Sequence, residues 1–244
     1  MLKFLDTYTL KAQAIPAMLA TAPAIALVIA LVLSTSSSMS KIFSTSIIAV
    51  LVVAIADLGR RLGKKKEPGI YAKLGGMPSV VMLRHRDSTF DPATKARYLA
   101  FLGRQIKGKP PTDTEEIAAP GSADSFYGRC GTWLREHTRD TRKFRLVFVE
   151  LVTYGFRRNL YGLRWLGLAV NFIVVGICCV YLYRGGWWGL EIAIGNGVIF
   201  VVLVAAVHAI YLAVFATRAS VIEASRQYAR QLILSCEMLM PKAR

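Results

Sequence analysis

Four long runs of the chain carry no formal charge: Ala12 to Ser40, Ile42 to Ala56, Leu166 to Tyr183 and Ile192 to Thr217. At about 1.5 Å rise per residue, most of them approach or exceed the length that crosses the roughly 30 Å hydrocarbon layer of a bilayer. The second holds only 15 residues. It must therefore sit untilted, thin the bilayer, or borrow the flanking Lys41 or Asp57. The pattern predicts an all-α membrane protein with four transmembrane helices in two hairpins. The first apolar run is longer than the core of a secretory signal, which favours a span there too.

The intervening segment has a different rhythm. Asp91 followed by Pro92 marks a helix start, and Tyr98, Leu99, Leu102 and Ile106 recur on one face. Thr112 and Glu115 form a capping-box pattern for a short second helix that Pro120-Gly121 stops. A third helix is predicted from near Ser122, with Phe126, Cys130, Trp133 and Leu134 inward. A fourth begins near Thr141 and has no proline before the third span, so it runs on as one long helix or bends at Gly155. GKKKEPG and LGGMP read as flexible, and residues 79–87 as either a short strand or a helical turn. After the last span, Val221, Ile222, Ser225, Tyr228, Leu232 and Cys236 share one face of a helix from Arg218. Its partner is the middle segment or a second copy.

These elements divide the chain into an interfacial helix with hairpin one (residues 1–58), a basic helical cytosolic domain (59–165), hairpin two (166–217) and a C-terminal amphipathic helix (218–244). Pro16 and Pro23 punctuate the first span, and Pro23 should kink or begin it. Ala22, Ala26 and Ala30 form a small-residue stripe, and Gly195 and Gly197 flank Asn196, all suited to close helix contact.

Charge orients the chain. The segment from Asp57 to Trp165 holds 22 Lys or Arg against 11 Asp or Glu, whereas the loops inside the hairpins carry only Lys41 and Arg184. The positive-inside bias then puts both termini and the middle segment in the cytosol of a bacterial inner membrane. The same bias accounts for the formal charge of +16 without invoking a nucleic-acid partner. In residues 154–170, Arg157, Arg158 and Arg164 lie among Tyr154, Phe156, Tyr161 and Trp165 before the third span, as expected at headgroup depth. Arg60, Arg61, Lys64, Lys65 and Lys66 have the same reading as contacts to anionic lipid. Arg84 and Arg86 are candidates for holding a small anionic ligand, since guanidinium forks suit phosphate.

Polar residues inside the spans are the other candidates, because burying them in lipid is costly. They are Asn171, Glu191, Asn196 and His208. They line a pore or handle protons, or else Glu191 lies at the outer surface, the asparagines bond between helices and His208 bonds a carbonyl. No catalytic motif, cofactor motif or metal-ligand spacing is apparent. Cys130, Cys178, Cys179 and Cys236 suit neither disulfides nor zinc.

This plan of two spans, a basic cytosolic domain and two more spans resembles the predicted four-span pore-type membrane effectors of bacterial conflict (anti-phage defence) systems. The resemblance covers the architecture of the whole chain and assigns no residue. The small-residue faces of spans one and four, and the little space four spans enclose, lead us to expect an oligomer assembled through those spans that alters membrane permeability when its cytosolic part meets a protein partner or an anionic ligand. The alternatives are a membrane scaffold that recruits a cytosolic partner, and a membrane enzyme or transporter subunit.

Overall fold

The computed structural model describes residues 7–33, 38–188 and 195–241, with side chains outside 33–44 and 184–196. All regular structure among them is helical. In chain order the helices are α1 (Thr7–Ala20, with a π-helical turn at Leu10–Ala14), α2 (Ala22–Leu33), α3 (Ser38–Lys73), α4 (Pro78–Val81), α5 (Pro92–Gln105), α6 (Asp113–Ala118), α7 (Pro120–His137), α8 (Arg145–Trp188), α9 (Gly195–Phe215), α10 (Arg218–Leu234) and α11 (Cys236–Leu239). They form two compact units, the first made of Met1–Lys66 with Gly155–Val221, the second of Glu67–Tyr154 with Ile222–Arg244. The divisions fall inside α3, α8 and α10, eight, eleven and four residues from the boundaries that hydropathy suggests.

Two helical segments are long and apolar enough to cross a membrane: Gly197–Phe215 within α9, in the first unit, and Arg145–Tyr183 within α8, which starts in the second unit and enters the first at Gly155. A third candidate is α1 with α2, a pair bent by 67° at the break between Ala20 and Ala22. Pro23 sits in the first turn after that bend, where its missing N–H and fixed φ are tolerated. The expected second span, Ile42 to Ala56, does not join this set. Its first residues lie outside the described side chains, and the next 18 residues, from Thr45, take in Asp57, Arg60 and Arg61.

Small residues bring these helices together. A Cβ on Gly162 of α8 would lie 2.6 Å from the backbone nitrogen of Gly63, and one on Gly63 would lie 2.9 Å from the Arg158 carbonyl. Backbone therefore packs on backbone where α3 meets α8. Gly155 faces Tyr8 and Ala12, and Gly167 faces Ala20 and Leu212. Ala26 and Ala30 of the Ala22, Ala26 and Ala30 stripe are used within the chain. Ala26 is buried with Val174, Cys178, Val198 and Val201, and Ala30 lies 3.5 Å from where a Cβ of Gly197 would stand. A face filled by the chain's own α9 is not open to a second copy.

The second unit folds around large side chains. Leu83, Tyr98, Leu102, Tyr127, Leu134, Phe144, Leu232 and Ile233 share one core, which settles the partner of the C-terminal helix as the middle segment. Local signals hold: the Asp91 side chain accepts from the Thr94 N–H at 2.9 Å, and Thr112 with Glu115 closes a capping box. Residues 79–87 are a helical turn followed by bends, not a strand. GKKKEPG is not flexible but lies wholly in α3, since lysine and glutamate are good helix formers. The helix stops only at Gly75, whose φ of +75° permits the bonds Gly76 N–H to Tyr71 C=O and Gly75 N–H to Ala72 C=O that end a helix. Helical structure continues through Gly155 in α8, which runs for 44 residues.

Candidate functional site

The apolar helices of the first unit enclose one polar pair. Asn171 of α8 donates through Nδ2 to the Ala205 carbonyl at 2.7 Å and to His208 Nδ1 at 2.9 Å on α9. The Ala205 carbonyl can only accept, so reversing the amide would set its oxygen against that carbonyl and Nδ2 stays on this side. Nδ1 is then the accepting nitrogen and the ring proton of the neutral imidazole is on Nε2. Asn171 and His208 are each only 6% exposed. The ring also faces the backbone of Leu19, although Nε2 meets no acceptor in hydrogen-bond geometry. The pair thus ties α8 to α9 and leaves one buried donor unspent. Of the other expected intramembrane polar residues, Glu191 lies outside the described residues, and Asn196 lies in the first turn of α9 with its side chain outside them.

A second group comprises the cations of α3 and α8 in the same unit. Arg60 and Arg61 grip Asp57 at 3.0 and 2.7 Å on an exposed surface, and Lys64 and Lys65 are exposed. Lys66 turns inward instead. Its ammonium donates to the Tyr161 carbonyl at 3.1 Å and stands 4.3 Å from the centre of that ring. Burial, then the charge of Arg164, lowers its pKa from the ordinary lysine value. Arg158 is buried, its Nε donating to Asn159 Oδ1 at 3.1 Å. Arg157 lies against the Phe156 ring and Arg164 against Trp165, whose ring is exposed. The Arg164 Nε is buried without a partner.

The second unit treats its arginines differently. Arg84 is buried and committed, donating to Asp124 at 2.8 and 2.6 Å and to the Gly75 carbonyl at 2.8 Å. The Asp124 carboxylate raises its pKa further above the ordinary arginine value. Arg86 is exposed, Arg135 bonds Thr132, and Arg139 pairs with Glu136. Each of the last three that is bonded thus meets a different neighbour.

Hydropathy missed Asn159 and the glycine crossing. Asn159 is buried and donates to the Ala12 carbonyl at 2.6 Å, inside the π-helical turn. A widened turn departs from the regular helical hydrogen-bond ladder, and a side-chain donor can take a carbonyl there. The crossing had a signal: Gly59 and Gly63 stand four apart in GRRLG, hidden beneath the arginines.

No protein-family model, curated protein or solved structure matches this chain.

Proposed function

We propose that the chain is a multi-pass protein of a bacterial inner membrane, its termini and middle segment cytosolic. It assembles with copies of itself and alters membrane permeability when its cytosolic part engages a protein partner or an anionic ligand. The observation that carries this reading is the Asn171–His208 pair. A hydrogen-bonded amide and imidazole with an unspent donor, held between apolar helices, is costly in lipid and is characteristic of ion or proton paths and of polar helix contacts. The few apolar helices of one chain enclose too little space for a conduit, so a pore requires several chains. Exposed Ile199, Leu203, Val207, Ile210 and Val214 on α9 offer the apolar surface for lipid or a neighbour. The charge asymmetry along the chain supports the orientation.

A scaffold that recruits a cytosolic partner is the second reading, favoured by the self-contained aromatic core of the second unit. Reconstitution into liposomes separates the two. Dye release or single-channel conductance by the purified chain, changed at least tenfold by Asn171→Leu or His208→Ala, is expected of the permeability reading. Fully inserted protein in liposomes that stay sealed, with nucleotides and candidate partners added, would sink it in favour of the scaffold.

A further inference from the structure

We propose that the first unit holds one anionic phospholipid, its phosphate on Lys66 and Arg164 and an acyl chain in the apolar groove lined by Thr21, Ile25, Val28, Ile48 and Ile55. This deepens the lipid-contact reading and rests on the first unit being embedded in a bilayer.

The argument begins with counter-charge. Among the described residues of the first unit, Asp57 is the one carboxylate, and Arg60 and Arg61 hold it. Lys66 nevertheless points inward, onto a carbonyl and a ring, where water is displaced but no anion is met within the unit. Arg164 stands one turn along α8 from Tyr161, whose carbonyl and ring Lys66 meets, and its own Nε is buried with nothing to donate to. Two partly dehydrated cations held close, with a guanidinium donor unspent, make a poor arrangement for an isolated protein. A phosphate corrects it, because its oxygens accept from both an ammonium and a guanidinium. Tyr161 and Trp165 beside them are residues that favour headgroup depth.

The groove identifies the phosphate as a lipid's. It is an almost wholly apolar hollow of about 190 Å³ between α2, α3 and α8, and Val170 closes it on the α8 side. Ile55 and Ile48 precede Lys66 by eleven and eighteen residues, close to whole numbers of turns, so all three share a face of α3. The groove's upper end then lies about 17 Å below Lys66 along α3 and about 9 Å below Arg164 along α8. Both depths lie within the roughly 20 Å that separate headgroup from midplane in one leaflet, so an acyl chain descending from that phosphate reaches the groove's upper end. A free phosphate has no use for the hollow.

Native mass spectrometry of the full chain in uncharged detergent, titrated with dioleoyl phosphatidylglycerol, dioleoyl phosphatidylcholine or inorganic phosphate, tests this. One phosphatidylglycerol per chain is expected, at least tenfold tighter than phosphatidylcholine. Lys66→Gln with Arg164→Gln should weaken it at least tenfold, Lys66→Arg less than threefold, and Arg60→Gln with Arg61→Gln less than twofold. Ala24→Leu, which narrows the groove, should weaken the dioleoyl lipid while leaving phosphate competition unchanged. Equal losses from the two double variants would mean diffuse attraction and overturn the site. Displacement of the lipid by equimolar inorganic phosphate would overturn the acyl-chain half and assign the cations to a soluble anion. Release of the wild-type chain from vesicles by alkaline carbonate would instead remove the bilayer reading beneath the proposal, a failure distinct from a retained chain that shows no lipid preference.

Discussion

The two units of this chain solve the packing of helices in opposite ways. The second fills space with large side chains and neutralises what it buries: Arg84 meets Asp124, the Tyr127 hydroxyl donates to Glu116 at 2.6 Å, and Lys95 donates to backbone carbonyls that include Arg84 at 2.7 Å. The first removes side chains where helices cross and has far fewer carboxylates than cations. Thirteen Lys or Arg accompany three Asp or Glu in the first unit, against eighteen and twelve in the second, so only the second can pair a majority of its cations within its own fold. Water drives a core of leucines and aromatics together, whereas lipid tails do not distinguish leucine from themselves and reward close backbone contact instead. The contrast is between a core of large side chains with its charges paired and helices long and apolar enough to cross a membrane.

Substitutions that exchange the two strategies sharpen this contrast. The largest effect is expected from Leu102→Ala, which empties a fully buried site of the second unit and should cost about 2–5 kcal/mol. Amide hydrogen exchange should register it in the second unit. Gly162→Ala in the first unit adds one methyl against the Gly63 backbone and should cost about 1–3 kcal/mol, read as a lower melting temperature in detergent and faster exchange in α3 and α8. A neutral outcome would mean that the helices are not held by this crossing. Arg84→Met strips Asp124 of its partner and should cost about 1–3 kcal/mol, toward the lower end because Asp124 keeps part of its water.

The same glycine-to-alanine change should reverse sign in the second unit. Gly128 in α7 has open space where a Cβ would go, so Gly128→Ala should stabilise by about 0.5–1 kcal/mol in urea denaturation. The smallest effect near neutrality comes from pH. Burial pushes the Cys130 and Cys236 thiols up to about 12 from an ordinary 9.0. The unfolded chain therefore ionises them first. Their contribution to stability is complete below pH 9 and lost as pH rises toward 12. Denaturation midpoints should be flat from pH 7 to 9 and fall beyond, and both thiols should resist alkylation at pH 8 until the chain unfolds.

Much of the helical outline was legible because its signals are local. The Asp91 cap, the Thr112–Glu115 capping box and the break before Pro23 each depend on residues within one turn of each other. GKKKEPG misled because glycine and proline suggest a linker, while the helical preference of the residues between them prevailed. Ala26 and Ala30 pack on another helix, but an alanine in the sequence does not disclose whether its partner is the same chain or a copy. Asn171 and His208 each stood out as polar residues in apolar runs; that one would serve the other was not legible, since 37 positions separate them.

What the amino-acid order determined alone was the helical class, the apolar segments and the helix ends, because chain stiffness and capping act over a few residues. Tertiary structure alone decided which residues meet: Gly162 against Gly63, Asn159 on the Ala12 carbonyl, and Lys66 on the Tyr161 carbonyl 95 positions away. Those pairings follow from the register in which whole helices slide past one another. That register is a sum over many weak contacts, and no single stretch of sequence contains it.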